Sequence, residues 1–160
     1  MRGALLVLLA VLLPVAARAA DTPTPFRPHY VSQRAAQVSL REGPGYDYRI
    51  LWVYRHKGYP FRESASFDIW RRVTAADGTV GWINGQMLSD SRTVLVTGEG
   101  RAEIHKSPEP DSRLVGLAEP DAVLSVKACD ADVCRVRADH VDGWIARSRI
   151  WGTDPGEVFK

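Results

Sequence analysis

The side chains that could do redox or metal chemistry are few in this sequence, and two of them are cysteines. Cys129 and Cys134 are its only cysteines, and four residues separate them. No second pair of cysteines exists to complete a zinc site, so a metal ligand or a reactive thiol is the less favoured alternative. In an oxidising compartment, this spacing favours a disulfide across the two strands of a hairpin.

Groups for acid–base or nucleophilic catalysis are also scattered. Each histidine stands alone, without a second ligand at metal-binding spacing; the four are His29, His56, His105 and His140. The sequence contains no Gly-x-Ser-x-Gly, no Ser-x-x-Lys and no phosphate loop. The Gly43-Pro44-Gly45 segment does not fit a phosphate cradle, because proline lacks the N–H that such a cradle uses. We therefore predict no enzyme activity, no metal and no cofactor.

Aromatic side chains concentrate in the first half of the chain and form the candidate binding site. Tyr46 and Tyr48 follow a Gly-Pro-Gly sequence in a predicted loop, where flat rings can pack an extended peptide or a sugar face. Trp52 and Trp70 lie in predicted strands of the same half. We predict that Tyr46, Tyr48, Trp52 and Trp70 bind ligand. Trp82 is expected in the core instead.

Residues 1–19 have the layout of a secretory signal peptide. A basic start precedes an uncharged apolar run over residues 4–13, Pro14 ends the run, and Ala17-Arg18-Ala19 supplies the small residues that a signal peptidase reads. The run is shorter than the roughly 20 apolar residues that a membrane span needs. No cysteine follows the run directly, so we expect no membrane anchor after cleavage. These features predict a periplasmic or secreted protein.

The charge balance gives no support for binding to nucleic acid. Removal of residues 1–19 takes away Arg2 and Arg18, which leaves 19 of the 21 basic residues against 19 acidic ones. Binding to the phosphate backbone requires clustered cations, and binding to an anionic membrane surface has the same requirement. We therefore predict neither nucleic acid nor membrane as a partner.

The elements that must position these residues are short strands. Residues 20–29 form a Pro-rich, extended leader. After it, short apolar or alternating runs are separated by Gly, Pro and Asp, and no long stretch has helical periodicity. This pattern predicts an all-β barrel or sandwich.

The chain also contains an internal repeat. Residues 38–53 align with residues 102–117 without a gap, and a Gly-Trp-Ile sequence recurs further along each copy. We place the boundary near Gly98-Glu99-Gly100, whose glycines suit a hinge. Residues 30–97 are then the first copy and residues 98–160 the second copy.

The motifs of the first copy resemble those of the bacterial SH3-like domain family. They are Leu40-Arg41-x-Gly43-Pro44-Gly45, Asp68-x-Trp70-x-x-Val73 and Asp77-Gly78-x-x-Gly81-Trp82. The second copy matches more weakly, with Glu109 in the place of Gly45 and Val133 in the place of Trp70. The resemblance covers roughly residues 30–154 and implies two tandem, five-stranded small barrels after the signal peptide.

This resemblance implies a function in binding, because members of the family occur in exported proteins, often as targeting modules joined to cell-wall hydrolases. We expect a non-catalytic cell-envelope module that recognises peptidoglycan or its peptide stems. The alternative is a periplasmic adaptor that binds an extended or Pro-rich segment of another envelope protein, and a small wall-active enzyme is a third class. The weaker motifs of the second copy predict that the first copy carries the ligand surface.

We predict cleavage after Ala19, because cleavage one residue later would place Arg18 where a small residue is required. Mass spectrometry of periplasmic material should show a chain that begins at Ala20. A cytoplasmic protein that retains Met1 would contradict both the compartment and the basis for the disulfide.

Overall fold

The computed structural model describes residues 25–109 and 111–160, and the predicted signal peptide lies outside them. The first copy folds into one antiparallel sheet with the strand order β3-β2-β6-β5-β4-β1-β7. A 3-10 turn, Gly85–Met87, lies between β6 and β7. The seven strands are β1 (His29–Gln33), β2 (Val38–Arg41), β3 (Ile50–Tyr54), β4 (Pro60–Phe67), β5 (Trp70–Thr74), β6 (Val80–Asn84) and β7 (Leu88–Ser89).

The second copy repeats this arrangement strand for strand, with the order β10-β9-β13-β12-β11-β8-β14. Its 3-10 turn is Arg147–Arg149. The strands are β8 (Thr93–Val96), β9 (Ala102–His105), β10 (Leu114–Ala118), β11 (Val123–Cys129), β12 (Val133–Ala138), β13 (Val141–Ala146) and β14 (Ile150–Trp151). The predicted all-β fold with two tandem units is confirmed. Each sheet has seven strands rather than five, because a strand at the start and a two-residue strand at the end join it.

The strand pairing divides the two sheets earlier than the predicted boundary near Gly98. The predicted boundary places β8 in the first copy, but β8 pairs with β11 and β14 of the second sheet. Likewise, His29 is paired with Glu63 in β1 and does not belong to the leader. The internal repeat in the sequence does not extend to these equivalent first strands, because their side chains differ. Gln33 of β1 occupies the position that Val96 occupies in β8.

Alternation of buried and exposed side chains gives each sheet its own core. In the first sheet, Leu40, Phe61, Val73 and Ile83 are almost fully buried, and Tyr54 and Tyr59 pack on Phe61. The second core is aliphatic and includes both cysteines. Its buried members include Val94, Val96, Ile104, Leu124, Cys129, Cys134, Val136 and Ile145.

A close crossing of two backbones explains the glycine of the Gly-Trp-Ile sequence in both copies. A Cβ atom on Gly81 would lie 2.6 Å from the carbonyl oxygen of Arg41, and one on Gly143 would lie 2.4 Å from that of His105. Both distances are far below van der Waals contact. Glycine is therefore required where β6 crosses β2 and where β13 crosses β9.

The two sheets contact each other through a small polar and aromatic interface. Arg62 of β4 forms an ion pair with Asp154, at 3.0 Å between Nε and Oδ1. Tyr30 and Trp151 meet edge to face, with ring centroids 5.2 Å apart. The hydroxyl of Thr93 donates a hydrogen bond to the carbonyl of Gly58 at 2.6 Å. These contacts join the two sheets.

The predicted disulfide between Cys129 and Cys134 is confirmed, and it joins the paired ends of β11 and β12. The C-terminal segment covers this hairpin. Phe159 forms a β-bridge with Cys129, and Arg92 lies 4.5 Å from the Phe159 ring centroid. Arg92 also holds Glu157 through two hydrogen bonds of 2.8 and 2.9 Å. These hydrogen bonds lower the pKa of Glu157.

Loss of the disulfide should destabilise the second copy. Because the closed loop is short, the double variant Cys129→Ala/Cys134→Ala should lose about 2 kcal/mol of unfolding free energy, measured by urea denaturation. Thiol counting on the unfolded, unreduced protein should find no free thiol. Two free thiols, or an unchanged urea midpoint in the double variant, would contradict this assignment.

Candidate functional site

A cleft opens on the first sheet between the loop that follows β2 and the ends of β5 and β6. It has a volume of about 150 Å³. We call it the Tyr46 cleft. Its lining residues are Gln37, Val38, Ser39, Arg41, Tyr46, Trp70, Ile83, Asn84 and Met87.

Tyr46 forms one wall of this cleft and is fixed at both ends of its ring. Its side chain is 65% exposed, yet the ring packs edge to face on buried Trp70, with centroids 5.0 Å apart. The Tyr46 hydroxyl accepts a hydrogen bond of 2.7 Å from Nδ2 of Asn84. Oδ1 of Asn84 accepts one from the Gln86 backbone N–H, which caps the 3-10 turn. A large aromatic surface is thus exposed without the freedom to turn away.

Arg41 holds the loop that carries Tyr46. Its guanidinium donates hydrogen bonds to the carbonyl oxygens of Tyr46 and Tyr48, at 2.9 and 2.8 Å. The guanidinium carbon also lies 5.6 Å from the Tyr46 ring centroid, within the range of a cation–π interaction. At the base of the loop, Glu42 and Arg49 form an ion pair. The hydrogen bond from Arg49 lowers the pKa of Glu42.

The two glycines of the Gly-Pro-Gly sequence make room for Tyr48. A Cβ atom on Gly43 would lie 2.4 Å from ring carbons of Tyr48, and one on Gly45 would lie 3.2 Å from the nearest. The ring therefore packs directly on the backbone of the turn. Half of the Tyr48 side chain is covered in this way and half remains exposed. The two glycines are therefore needed for Tyr48 to pack on the turn in this way.

The structure brings two of the four predicted ligand-binding residues together in this cleft. Tyr46 forms its wall, and Trp70, only 5% exposed, lies beneath Tyr46. Tyr48 packs on the turn. Trp52 is 61% exposed on the edge strand β3 and does not line the cleft.

Two polar residues of the cleft, Arg41 and Asn84, were missed by sequence reasoning. Arg41 is part of the motif that indicates the fold, so its hydrogen bonds to the loop after β2 were not considered as part of a site. Asn84 had no signal, because only folding brings β6 next to the loop. Trp82 was expected in the core, but it is only half-buried. Gly81 and Ile83 are buried on either side of it, so alternation along β6 turns the Trp82 side chain outward.

The second copy has a cleft that partly overlaps the equivalent place, since His105 corresponds to Arg41 of the Tyr46 cleft. Its volume is about 190 Å³. Val133 stands where the first copy has Trp70, and Ala146 stands where it has Asn84. Pro108 and Trp144 also line this cleft, whereas their counterparts Pro44 and Trp82 do not line the Tyr46 cleft. The remaining lining residues are His105, Ser107 and Glu109.

Hydrogen bonds replace ring packing in the loop of the second copy. Ser107 and Ser112 stand where the first copy has Gly43 and Tyr48. The Ser107 backbone N–H donates to the Ser112 hydroxyl at 2.8 Å, and the two hydroxyls are also 2.8 Å apart. Nδ1 of His105 lies 2.7 Å from the Ser112 carbonyl. This hydrogen bond, with a smaller effect of Glu103, raises the pKa of His105.

Two further features bear on the function of the described residues. Within residues 25–109 and 111–160, no three His, Cys, Asp or Glu side chains are grouped closely enough to hold a metal ion. In the same part of the chain, no helix is long and apolar enough to cross a membrane.

Comparison with known families identifies the fold. The family model for the bacterial SH3 domain matches residues 34–90 and 98–152, which together make up more than half of the chain. The chain belongs to the bacterial SH3 domain family. Each match begins after the first strand of a sheet, so neither β1 nor β8 lies within the matched residues.

Two solved structures resemble the chain, NlpC2 and NlpC1 from Trichomonas vaginalis. Each is 11% identical to it, with a TM-score of 0.36. The similarity covers 78% of this chain and 48% of NlpC2, and 86% of this chain and 50% of NlpC1. The chain therefore spans about half the length of each. No curated protein matches it.

The packing of Tyr48 on Gly43 should be measurable as a coupling between the two residues. Gly43→Ala forces its Cβ into the ring and should cost about 1–3 kcal/mol of unfolding free energy. In a Tyr48→Ala background, the same change should cost much less, because the ring is gone. Chemical denaturation of the four proteins of this double-mutant cycle measures the coupling. Additive costs would show that the ring does not pack on Gly43.

Proposed function

We propose that the protein is a non-catalytic cell-envelope module that binds peptidoglycan, or its peptide stems, through the Tyr46 cleft of the first copy. The observation that carries this proposal is the exposed ring of Tyr46, which Trp70 and Asn84 hold in place. An immobilised ring loses little conformational entropy when it packs on a sugar face or a peptide. Bacterial SH3 domains are generally cell-wall binding modules, which agrees with this role.

The lining of the cleft suits a ligand of mixed polarity. Tyr46, Trp70 and Met87 offer apolar surface, whereas Gln37 and Ser39 offer amide and hydroxyl groups. Stem peptides and sugars present the matching combination of apolar patches with N–H, C=O or O–H groups. Pockets that orient a small ligand combine mainly apolar walls with a few polar groups in the same way.

An extracytoplasmic location is consistent with the rest of the chain. The family is one of envelope proteins, the disulfide requires an oxidising compartment to persist, and the N-terminal sequence predicts export. We propose a periplasmic or secreted protein on this basis.

The second candidate is an adaptor that binds an extended segment of another envelope protein. The observation that favours it is the edge strand β3, which presents the exposed side chains of Ile50 and Trp52. An edge strand can pair with an added peptide strand, and exposed aromatic residues can then provide pockets for its side chains. In this case, Trp52 rather than Tyr46 contributes the affinity.

Binding of the full mature chain to purified sacculi distinguishes the two candidates. Tyr46→Ala should weaken binding by about 2 kcal/mol or more, as for an interface hot spot, which is roughly thirty-fold in Kd. Circular dichroism should show that the variant remains folded, since Tyr46 is largely exposed. Phe67→Ala is the matched control, because Phe67 is 61% exposed and does not line the cleft.

The outcome for Trp52→Ala completes the test. Retained binding of this variant to sacculi supports the cleft as the site. Wild-type affinity of Tyr46→Ala, together with loss in Trp52→Ala, would contradict the cleft and favour the edge strand.

A further inference from the structure

The first sheet buries one carboxylate at a position where the second sheet has valine. Glu63 is 5% exposed and pairs with Val73, and Val126 is also 5% exposed and pairs with Val136. The same register shift follows each pair, so the two positions are equivalent. Valine therefore satisfies the packing at this place in the fold. The packing of the core therefore does not explain why the first copy has a carboxylate here.

Within the described residues, the Glu63 carboxylate makes only two long contacts with basic side chains. Oε1 lies 3.4 Å from Nε of Arg71, and Oε2 lies 3.8 Å from Nε2 of His29. Neither contact has the short distance of a strong charge-assisted hydrogen bond. Burial raises the pKa of Glu63, although His29 and Arg71 act in the opposite direction. The carboxylate thus has unused capacity to accept hydrogen bonds.

This carboxylate faces a polar cavity of about 350 Å³, which we call the Glu63 pocket. The pocket also has Val31 and Leu88 on its apolar side. Its polar lining residues are Arg34, Glu63, Arg71, Ser89 and Asp90. It lies away from the Tyr46 cleft, because Trp70 and the following Arg71 point to opposite sides of β5.

The two arginines of the pocket keep donors available. One terminal nitrogen of Arg71 donates to the carbonyls of Asp68 and Trp70, at 2.9 and 3.2 Å. Arg34 donates through one terminal nitrogen to the carbonyl of Gln86. A guanidinium has five N–H donors, so each arginine can also bind an anionic group. Two cations and two carboxylates therefore surround one small cavity.

The second copy lacks this set of charges at every equivalent position. Thr97, Val126, Cys134 and Gly152 stand where the first copy has Arg34, Glu63, Arg71 and Asp90. Arg147 replaces Gly85, and its guanidinium binds the carbonyl of Asp154 at 2.8 Å in the C-terminal segment. The fold therefore does not require the charges that the first copy keeps.

We propose that the Glu63 pocket binds a zwitterionic α-amino acid group, with its ammonium at Glu63 and Asp90 and its carboxylate at Arg34 and Arg71. An ammonium supplies the three N–H donors that the buried carboxylate lacks. A carboxylate can take paired N–H groups from a guanidinium. The balanced charges disfavour a simple cation or anion. This site does not depend on the Tyr46 cleft or on its ligand.

Titration of the mature protein with free amino acids, followed by two-dimensional amide NMR, tests the proposal. Glycine and D- or L-alanine are the probes, and methylamine and acetate are the matched single-charge probes. Amino acids should shift the amide signals of β4, β5 and residues 85–90. Methylamine and acetate should bind at least ten-fold more weakly. Equal binding of methylamine, or no shift with any amino acid, would overturn the proposal.

Two variants connect this binding to Glu63. Glu63→Gln keeps the shape, and Glu63→Val copies the residue of the second copy. Both should lose at least ten-fold in amino acid affinity. Glu63→Val should also raise the melting temperature at neutral pH, because it removes a buried charge. Glu119→Gln is the control for the same change of charge, since Glu119 is exposed in the second copy, and should bind normally. Unchanged affinity in Glu63→Gln would overturn the proposal, whatever the stability of Glu63→Val.

Discussion

The backbone crossing at Gly81 and Gly143 is the constraint on which both copies depend. It sets β6 against β2, and β13 against β9, at a distance that excludes any Cβ atom. In the first copy, this crossing brings Asn84 at the end of β6 to the loop that Arg41 holds. The Tyr46–Asn84 hydrogen bond, and with it the wall of the cleft, exists only because of that approach. The site therefore depends on the pairing of β6 with β2 as well as on the loop.

The two copies show how one scaffold carries different chemistry. The first copy packs Tyr48 on Gly43, and the second hydrogen-bonds Ser107 to Ser112 at the same place. Where the second copy joins Cys129 to Cys134, the first has Ser66 paired with Arg71. The second copy thus uses a disulfide, an apolar core and the C-terminal segment for stability. The first copy retains exposed aromatic and buried charged groups, which favour binding over stability.

Much of the fold could be predicted from the sequence, because its signals are local. Gly-Pro-Gly, Asp-Gly and Gly-Trp-Ile fix turns and crossings, and the repeat showed that they occur in tandem. The boundary between the two copies could not be placed from the sequence. Strands β1 and β8 join their sheets by pairing with strands distant in sequence, and their side chains differ. Trp82 is only partly buried and does not belong to the buried core cluster, because alternation along β6 directs Gly81 and Ile83 into the core. Glu63 gave no signal, since its burial depends on strands distant in sequence.

We propose that ligand binding belongs to the Tyr46 cleft and not to the cleft of the second copy. Amide NMR of the mature protein with a soluble peptidoglycan fragment tests this, because both clefts are observed in one sample. The amide signals of Tyr46, Tyr48 and Asn84 should shift, whereas those of Glu109 and Ala146 should not. Shifts confined to Glu109, Val133 and Ala146, or equal shifts in both copies, would contradict it.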